Sequence, residues 1–214
     1  LWQEMGGKLG GRVRDGAATA GLAAVFEMES PALAEVIRDI NKYSNNVMAQ
    51  QVFLSLSLPA GRDANGKPAA NNAQAPATLA ASREVLQQWW RNRVGATVEA
   101  PSVDNGSGLS RNGRTSALAL GRLLQIAYQS PWMPELMSSL PIAGIDGTMR
   151  RNRSGAVGNA HLKTGSLRDV MAVAGYVLAS SGRRYVVVLI ANHGNAGASR
   201  AVIDKLLEWA VREN

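Results

Sequence analysis

Cysteine is absent from the 214 residues, which removes both a disulfide framework and any thiolate metal site. Histidine is scarce: His161 and His193 are too few to hold a metal on imidazoles alone. Aromatic residues make up 5% of the chain and nowhere interleave with basic residues as a base-stacking platform would, which argues against nucleic acid as a partner. No apolar run approaches the length of a membrane span, so membrane contact is at most peripheral. The opening Leu1-Trp2-Gln3 lacks an initiator Met, a basic n-region and an apolar signal core, so sequence upstream of it is expected. The glycine spacings of nucleotide sites are missing too. The turn Asp104-Asn105-Gly106-Ser107-Gly108-Leu109-Ser110-Arg111 has neither the dinucleotide fingerprint nor the Gly-Lys-Ser/Thr of a P-loop.

What is present is a chain with 46% hydrophobic and 18% charged residues, enough for one large domain or two small ones. Its 23 basic residues outnumber 16 acidic ones and give a net charge of +7, a surface that attracts polyanions, anionic lipid or an anionic peptide. Ser30-Pro31 reads as a helix start, with Leu33, Val36, Ile37 and Ile40 following at helical spacing to about Asn41. Tyr43-Ser44-Asn45-Asn46 interrupts, and a second apolar helix resumes from Val47 to about Leu56. Pro59 to Pro76 is rich in Ala, Gly, Asn and Pro and has no period, which predicts a mobile surface loop across residues 59–77. Helices are predicted over Thr78 to Arg93, after a Thr115 cap, and from Pro134 to near Leu140. Asn159 to Leu167, Val170 to Ala179 and Arg184 to His193 read as strands, the latter two joined at Ser180-Ser181-Gly182-Arg183. Val186 to Ile190 is continuously apolar, which predicts a strand covered on both faces, and Ser199 opens a C-terminal amphipathic helix. Helices over an antiparallel sheet define an α/β (α+β) layer fold.

The chemistry concentrates at Lys163-Thr164-Gly165-Ser166. A cation, a hydroxyl and a residue without Cβ in succession suit a strand edge that holds an extended, anionic ligand. Glycine there lets a second backbone approach, so a peptide can add alongside as an extra strand. Arg150, Arg151 and Arg153 form a basic cluster just upstream.

Ser44-Asn45-Asn46 and Lys163-Thr164-Gly165, in that order, form a pair known from serine enzymes acting on penicillin-type substrates. The wider sequence resembles the class C penicillin-binding proteins, the D-alanyl-D-alanine carboxypeptidase/endopeptidases of the penicillin-binding protein 4 type. The matching stretches are Ser30-Pro31 through Ile40 to Asn46, Asn105 to Arg111, Leu140 to Gly144 with Asp146-Gly147-Thr148, and Lys163 to Leu167 with Ala174 to Val177. One departure stands out. The family's nucleophile is the Ser of an S-x-x-K motif, and no serine here is followed three residues later by Lys. The resemblance therefore implies that residues 1–214 are the C-terminal portion of one transpeptidase-like catalytic domain, with the nucleophile helix and N-terminal strands elsewhere in the protein.

The same resemblance implies the roles. Ser44 relays a proton between nucleophile and leaving amine, Asn46 holds the substrate backbone, and Lys163 supplies positive potential and assists Ser44. Thr164 and Ser166 bond the substrate's terminal carboxylate through their hydroxyls, beside Gly165, and the Ser166 N–H forms half of the oxyanion hole. No cofactor is implied. The implied partners are peptidoglycan stem peptides, β-lactams and the N-terminal part of the same protein, in a periplasmic or otherwise extracytoplasmic setting. A second reading is a non-catalytic binder of cell-wall peptides or another polyanion, using the Lys163 edge and the arginines.

Overall fold

The computed structural model describes residues 1–12, 14–17, 21, 23, 26–58 and 76–213. The loop predicted over residues 59–77 lies, up to residue 75, outside the described residues. Leu1–Pro31 and Ala32–Asn214 are separate compact units. In the first, Leu1 to Gly7 close a turn in which the Met5 N–H donates to the Leu1 carbonyl at 3.0 Å and the Gly7 N–H to that of Trp2 at 2.9 Å.

The second unit contains helices α1 (Leu33–Tyr43), α2 (Asn46–Ser55), α3 (Leu79–Arg93), α4 (Ala117–Tyr128) and α5 (Met133–Ser139), then strands β1 (Ala160–Leu167), β2 (Val170–Leu178) and β3 (Arg184–Asn192), and finally helix α6 (Ser199–Arg212). The helix starts follow side-chain chemistry. Asn45 accepts from the Met48 N–H, Thr78 from that of Ala81 and Ser116 from that of Ala119, each filling an otherwise orphaned donor. Two predicted caps are corrected. The backbone stays extended through Ala32 (ψ 145°), so Ser30 cannot cap α1, and Ser116 rather than Thr115 caps α4.

The three strands form one antiparallel sheet in the order β1-β2-β3, with Lys163 opposite Ala174 and Gly175 opposite Val187. A two-residue turn, Arg168-Asp169, joins β1 to β2, and Asp169 takes a left-handed φ of 64° to close it. Gly175 is required where it stands: its φ is 155°, and a Cβ there would strike the His161 carbonyl of the neighbouring strand.

Alternation along the strands gives the sheet two covered faces. Leu162, Val173 and Val187 share a core with Ile203 and Leu207 of α6. On the opposite face Tyr176 donates its hydroxyl to the Leu124 carbonyl of α4 at 2.7 Å, and burial pushes its pKa up to about 12. The central, apolar part of β3 is thus sandwiched, as its composition predicts. A smaller core of Trp90, Val94 and Ala119 holds α3 to α4, and Trp90 satisfies its buried N–H on the Val98 carbonyl at 2.9 Å. Each fully buried Leu or Val contributes about 1.5–3 kcal/mol, so α6 and α4 hold the sheet rigidly enough to position a site on β1. Among the described residues, no helix is long and apolar enough to cross a membrane.

Candidate active site

Helix α1 ends at Ser44, whose backbone turns into the left-handed region at φ 55°, ψ 50° while its N–H still bonds the Ile40 carbonyl. Non-glycine residues pay for this conformation. The consequence is a sharp break: Asn45 is extended, caps the next helix, and α2 begins at once with Asn46. Ser44 and Asn46, both half-buried, flank that break.

Across from the break lies β1. The Lys163 ammonium donates to the Ser44 hydroxyl at 2.9 Å and to the Thr164 carbonyl at 2.9 Å. The sequence-predicted reach between Lys163 and Ser44 is therefore present. Burial pushes the Lys163 amine below its ordinary pKa, so the neutral form that can take a proton is more accessible than on a surface lysine.

The ladder decides which backbone groups of β1 face outward. The Leu162 N–H bonds the Pro141 carbonyl and the Ala160 carbonyl accepts from Ala143, so even-numbered residues of β1 direct their N–H and C=O away from β2. Residues 141–143 occupy that edge only as far as Leu162. Thr164 and Ser166 come next, with the same outward parity. Gly165, like Lys163, faces the α1 side, and a Cβ on it would meet nothing nearer than the Ala172 Cβ at 3.9 Å. The space beside Lys163 is open to a ligand backbone. The Thr164 hydroxyl lies on the other face, 3.4 Å from that of Thr148.

The sequence marks Asp146-Gly147-Thr148 only as a matching stretch and gives Lys42 no role, yet together they fix the distance across the cleft. Lys42 reaches out of the last turn of α1 to the Leu140 carbonyl at 2.7 Å and the Asp146 carboxylate at 2.6 Å, and the other Asp146 oxygen accepts from the Ile142 N–H at 2.8 Å. Burial alone would raise the Asp146 pKa, but the bonds from Lys42 and Ile142 and the Lys42 charge outweigh it and hold the carboxyl below its ordinary value. Ile142 in turn bridges to His161 on β1. Gly147 packs so closely on α1 that a Cβ would come within 2.6 Å of the Lys42 carbonyl. Only a long-range charge pair signals this clamp, and no local period reveals it. The glycine-rich turn is tied in as well: Asn105 accepts from the N–H and hydroxyl of Ser107, and Arg111 donates to the Arg168 carbonyl at the β1–β2 turn, 2.7 Å away.

The arrangement offers a cation touching a hydroxyl, an adjacent amide, and a strand edge with outward N–H groups. Chemically, that set is suited to moving a proton and to receiving an extended, carboxylate-bearing chain. A family model described as D-Ala-D-Ala carboxypeptidase 3 (S13) matches residues 1–213. The chain is 31% identical over 195 residues to Carboxypeptidase DacB of Mycolicibacterium smegmatis, covering 87% of this chain and 39% of that one. It is 30% identical over 191 residues to a D-alanyl-D-alanine carboxypeptidase of Actinomadura sp. strain R39, covering 86% and 32%. It thus spans between about a third and two fifths of the length of these curated relatives. The fold is similar to penicillin-binding protein 4 of Haemophilus influenzae in complex with a β-lactam (TM-score 0.63, 21% identity, 81% of this chain and 41% of that one). It is also similar to a penicillin G-acylated predatory endopeptidase of Bdellovibrio bacteriovorus (TM-score 0.64, 17% identity, 84% and 45%).

Proposed function

The chain belongs to the D-Ala-D-Ala carboxypeptidase 3 (S13) family, and from that premise we propose that it forms the proton-relay and substrate-edge part of a serine-type DD-peptidase. The substrate is a peptidoglycan stem peptide ending in D-Ala-D-Ala, the setting is extracytoplasmic, and β-lactams acylate the same site. The nucleophilic serine comes from the part of the protein outside this chain. The observation that carries the reading is the 2.9 Å hydrogen bond from Lys163 to Ser44. A module that only binds has little use for a hydroxyl held against a partly desolvated amine.

In this reading the nucleophile's oxygen attacks the carbonyl between the two D-alanines, and its proton passes through Ser44 to the departing amine as the C–N bond breaks. Lys163 holds the Ser44 hydroxyl in line and supplies positive potential where negative charge develops. Asn46 holds the peptide backbone. The outward N–H of Ser166 supplies one donor to the oxyanion, and the hydroxyls of Thr164 and Ser166 receive the terminal carboxylate. Water then cleaves the acyl-enzyme by the reverse route, returning a proton to the serine.

The test compares this chain alone with the full-length protein. With fluorescent penicillin the chain alone is expected to stay unlabelled, since none of its serines precedes a lysine by three residues. The full-length protein is expected to label one to one and to release D-alanine. Acylation of the isolated chain would remove Ser44 from the relay role. An unlabelled full-length protein would leave the non-catalytic binder of cell-wall peptides or polyanions.

A further inference from the structure

Arg150, Arg151 and Arg153 line one cavity together with Gly147 and Thr148. All three arginines are exposed, and among the described residues no carboxylate lies within ion-pair distance of any of them. The acids carried by the elements packed around them are already engaged: Asp146 by Lys42 at 2.6 Å, Asp204 by the Asn152 amide at 2.9 Å, and Glu208 by Lys205 at 2.7 Å. Three guanidinium groups around one concavity, with no internal counter-charge, concentrate positive potential there. Their planar forks match carboxylates and phosphates in geometry.

The cavity is contiguous with the β1 edge. Thr148 belongs to its wall, and the Thr148 hydroxyl lies 3.4 Å from that of Thr164. A peptide added along β1 from Thr164 to Ser166 directs successive side chains to opposite faces of the sheet. One set turns toward Lys163 and Ser44. The next turns toward the face of Thr164, where Thr148 and the arginines stand. Resting on the reading that a peptide occupies this edge, we propose that the Arg150, Arg151 and Arg153 cavity is an anion subsite. It takes a second carboxylate of that peptide, distinct from the terminal one assigned to Thr164 and Ser166. The occupant is a carboxylate because the ligand continuous with the cavity is a peptide; a polyphosphate chain is the competing occupant.

The experiment measures equilibrium binding by fluorescence anisotropy, using full-length protein and its R150Q/R151Q/R153Q variant. The probes are two labelled peptides ending in D-Ala-D-Ala with the scissile amide N-methylated, identical except that one carries an internal side-chain carboxylate and the other its carboxamide. The unsubstituted protein is expected to bind the carboxylate peptide about tenfold tighter, a difference of about 1.4 kcal/mol, and to lose that margin as salt rises. The variant is expected to bind both peptides alike. Equal binding by the unsubstituted protein, which needs no variant to observe, overturns the subsite, and so does a preference that survives the substitutions. Inorganic polyphosphate displaced by the substitutions while the peptide pair is unaffected overturns it in favour of a polyanion surface. Acylation by fluorescent penicillin reports on the enzyme reading separately: its absence defeats that reading, whereas acylated protein without a carboxylate preference defeats only the subsite.

Discussion

The ammonium of Lys163 and the hydroxyl of Ser44 meet at 2.9 Å although 119 residues separate them in the chain. One sits on β1, at the edge of the three-stranded sheet, the other at the break between α1 and α2. The clamp of Lys42 on Asp146 keeps these two elements in register.

Replacing Lys163 by Ala in the full-length protein removes both the contact to Ser44 and the positive potential of the site. D-alanine release is expected to fall by about 10²–10³, the range seen when one preorganised electrostatic group is deleted. Steady-state kinetics on a D-Ala-D-Ala peptide measure it, and a loss below about threefold would remove Lys163 from the chemistry.

The same lysine makes stability depend on pH in a defined direction. Burial lowers its folded pKa below the ordinary 10.5, so between those values the unfolded chain binds more protons than the folded one. Stability therefore rises as pH climbs through that window and is flat below it. Lys163→Met is expected to abolish this rise in the pH dependence of chemical denaturation, and an unchanged slope would contradict the burial argument.

Asp146 gives a slope of the same sign, in the acid range. Its folded pKa lies below the ordinary 3.8, so its contribution is present above that value and lost as pH falls through the folded pKa. Asp146→Asn is expected to cost about 1–2 kcal/mol near neutrality, discounted for a side chain 37% exposed, and to converge with the unsubstituted protein in acid. Thermal melts across that range check it.

Two glycines on neighbouring strands separate folding from ligand access. Gly175→Ala drives a methyl into the His161 carbonyl and is expected to cost about 3 kcal/mol or more, displacing β1 and Lys163 with it. Gly165→Ala meets only Ala172, at 3.9 Å, and is expected to leave the melting temperature unchanged while penicillin acylation slows, because its methyl occupies the ligand's side of the strand. Melting curves and acylation rates on the two variants give the contrast; equal effects from both would contradict the strand geometry.

Much of this fold is legible in local pattern. Apolar runs and turn residues predict β1, β2 and β3 to within one residue at each end, because alternation and tight turns are properties of neighbours in sequence. The helix starts are less legible. Ser30-Pro31 carries a start signal that the extended backbone of Ala32 overrides, and adjacent Thr115 and Ser116 are chemically equivalent as caps until the chain path selects one. The contacts that assemble the site are the least legible. Lys42 with Asp146, Thr148 with Thr164 and Arg111 with the Arg168 carbonyl join segments far apart in the chain, and no periodicity encodes such pairs. Ser44 and Lys163 could be paired in advance only because their motifs occur together.

Ser44 holds a backbone conformation, φ 55°, in which glycine would be at ease and serine is not. Selection for thermal robustness alone would therefore drift toward glycine at this position, and any stabilisation campaign scored on melting temperature would reward the loss of the hydroxyl that Lys163 touches. A library screened for both properties is expected to divide at position 44, the more heat-resistant clones being the ones that no longer turn over substrate. With the proposed relay role, the strain at Ser44 would set durability and activity in direct competition at one position.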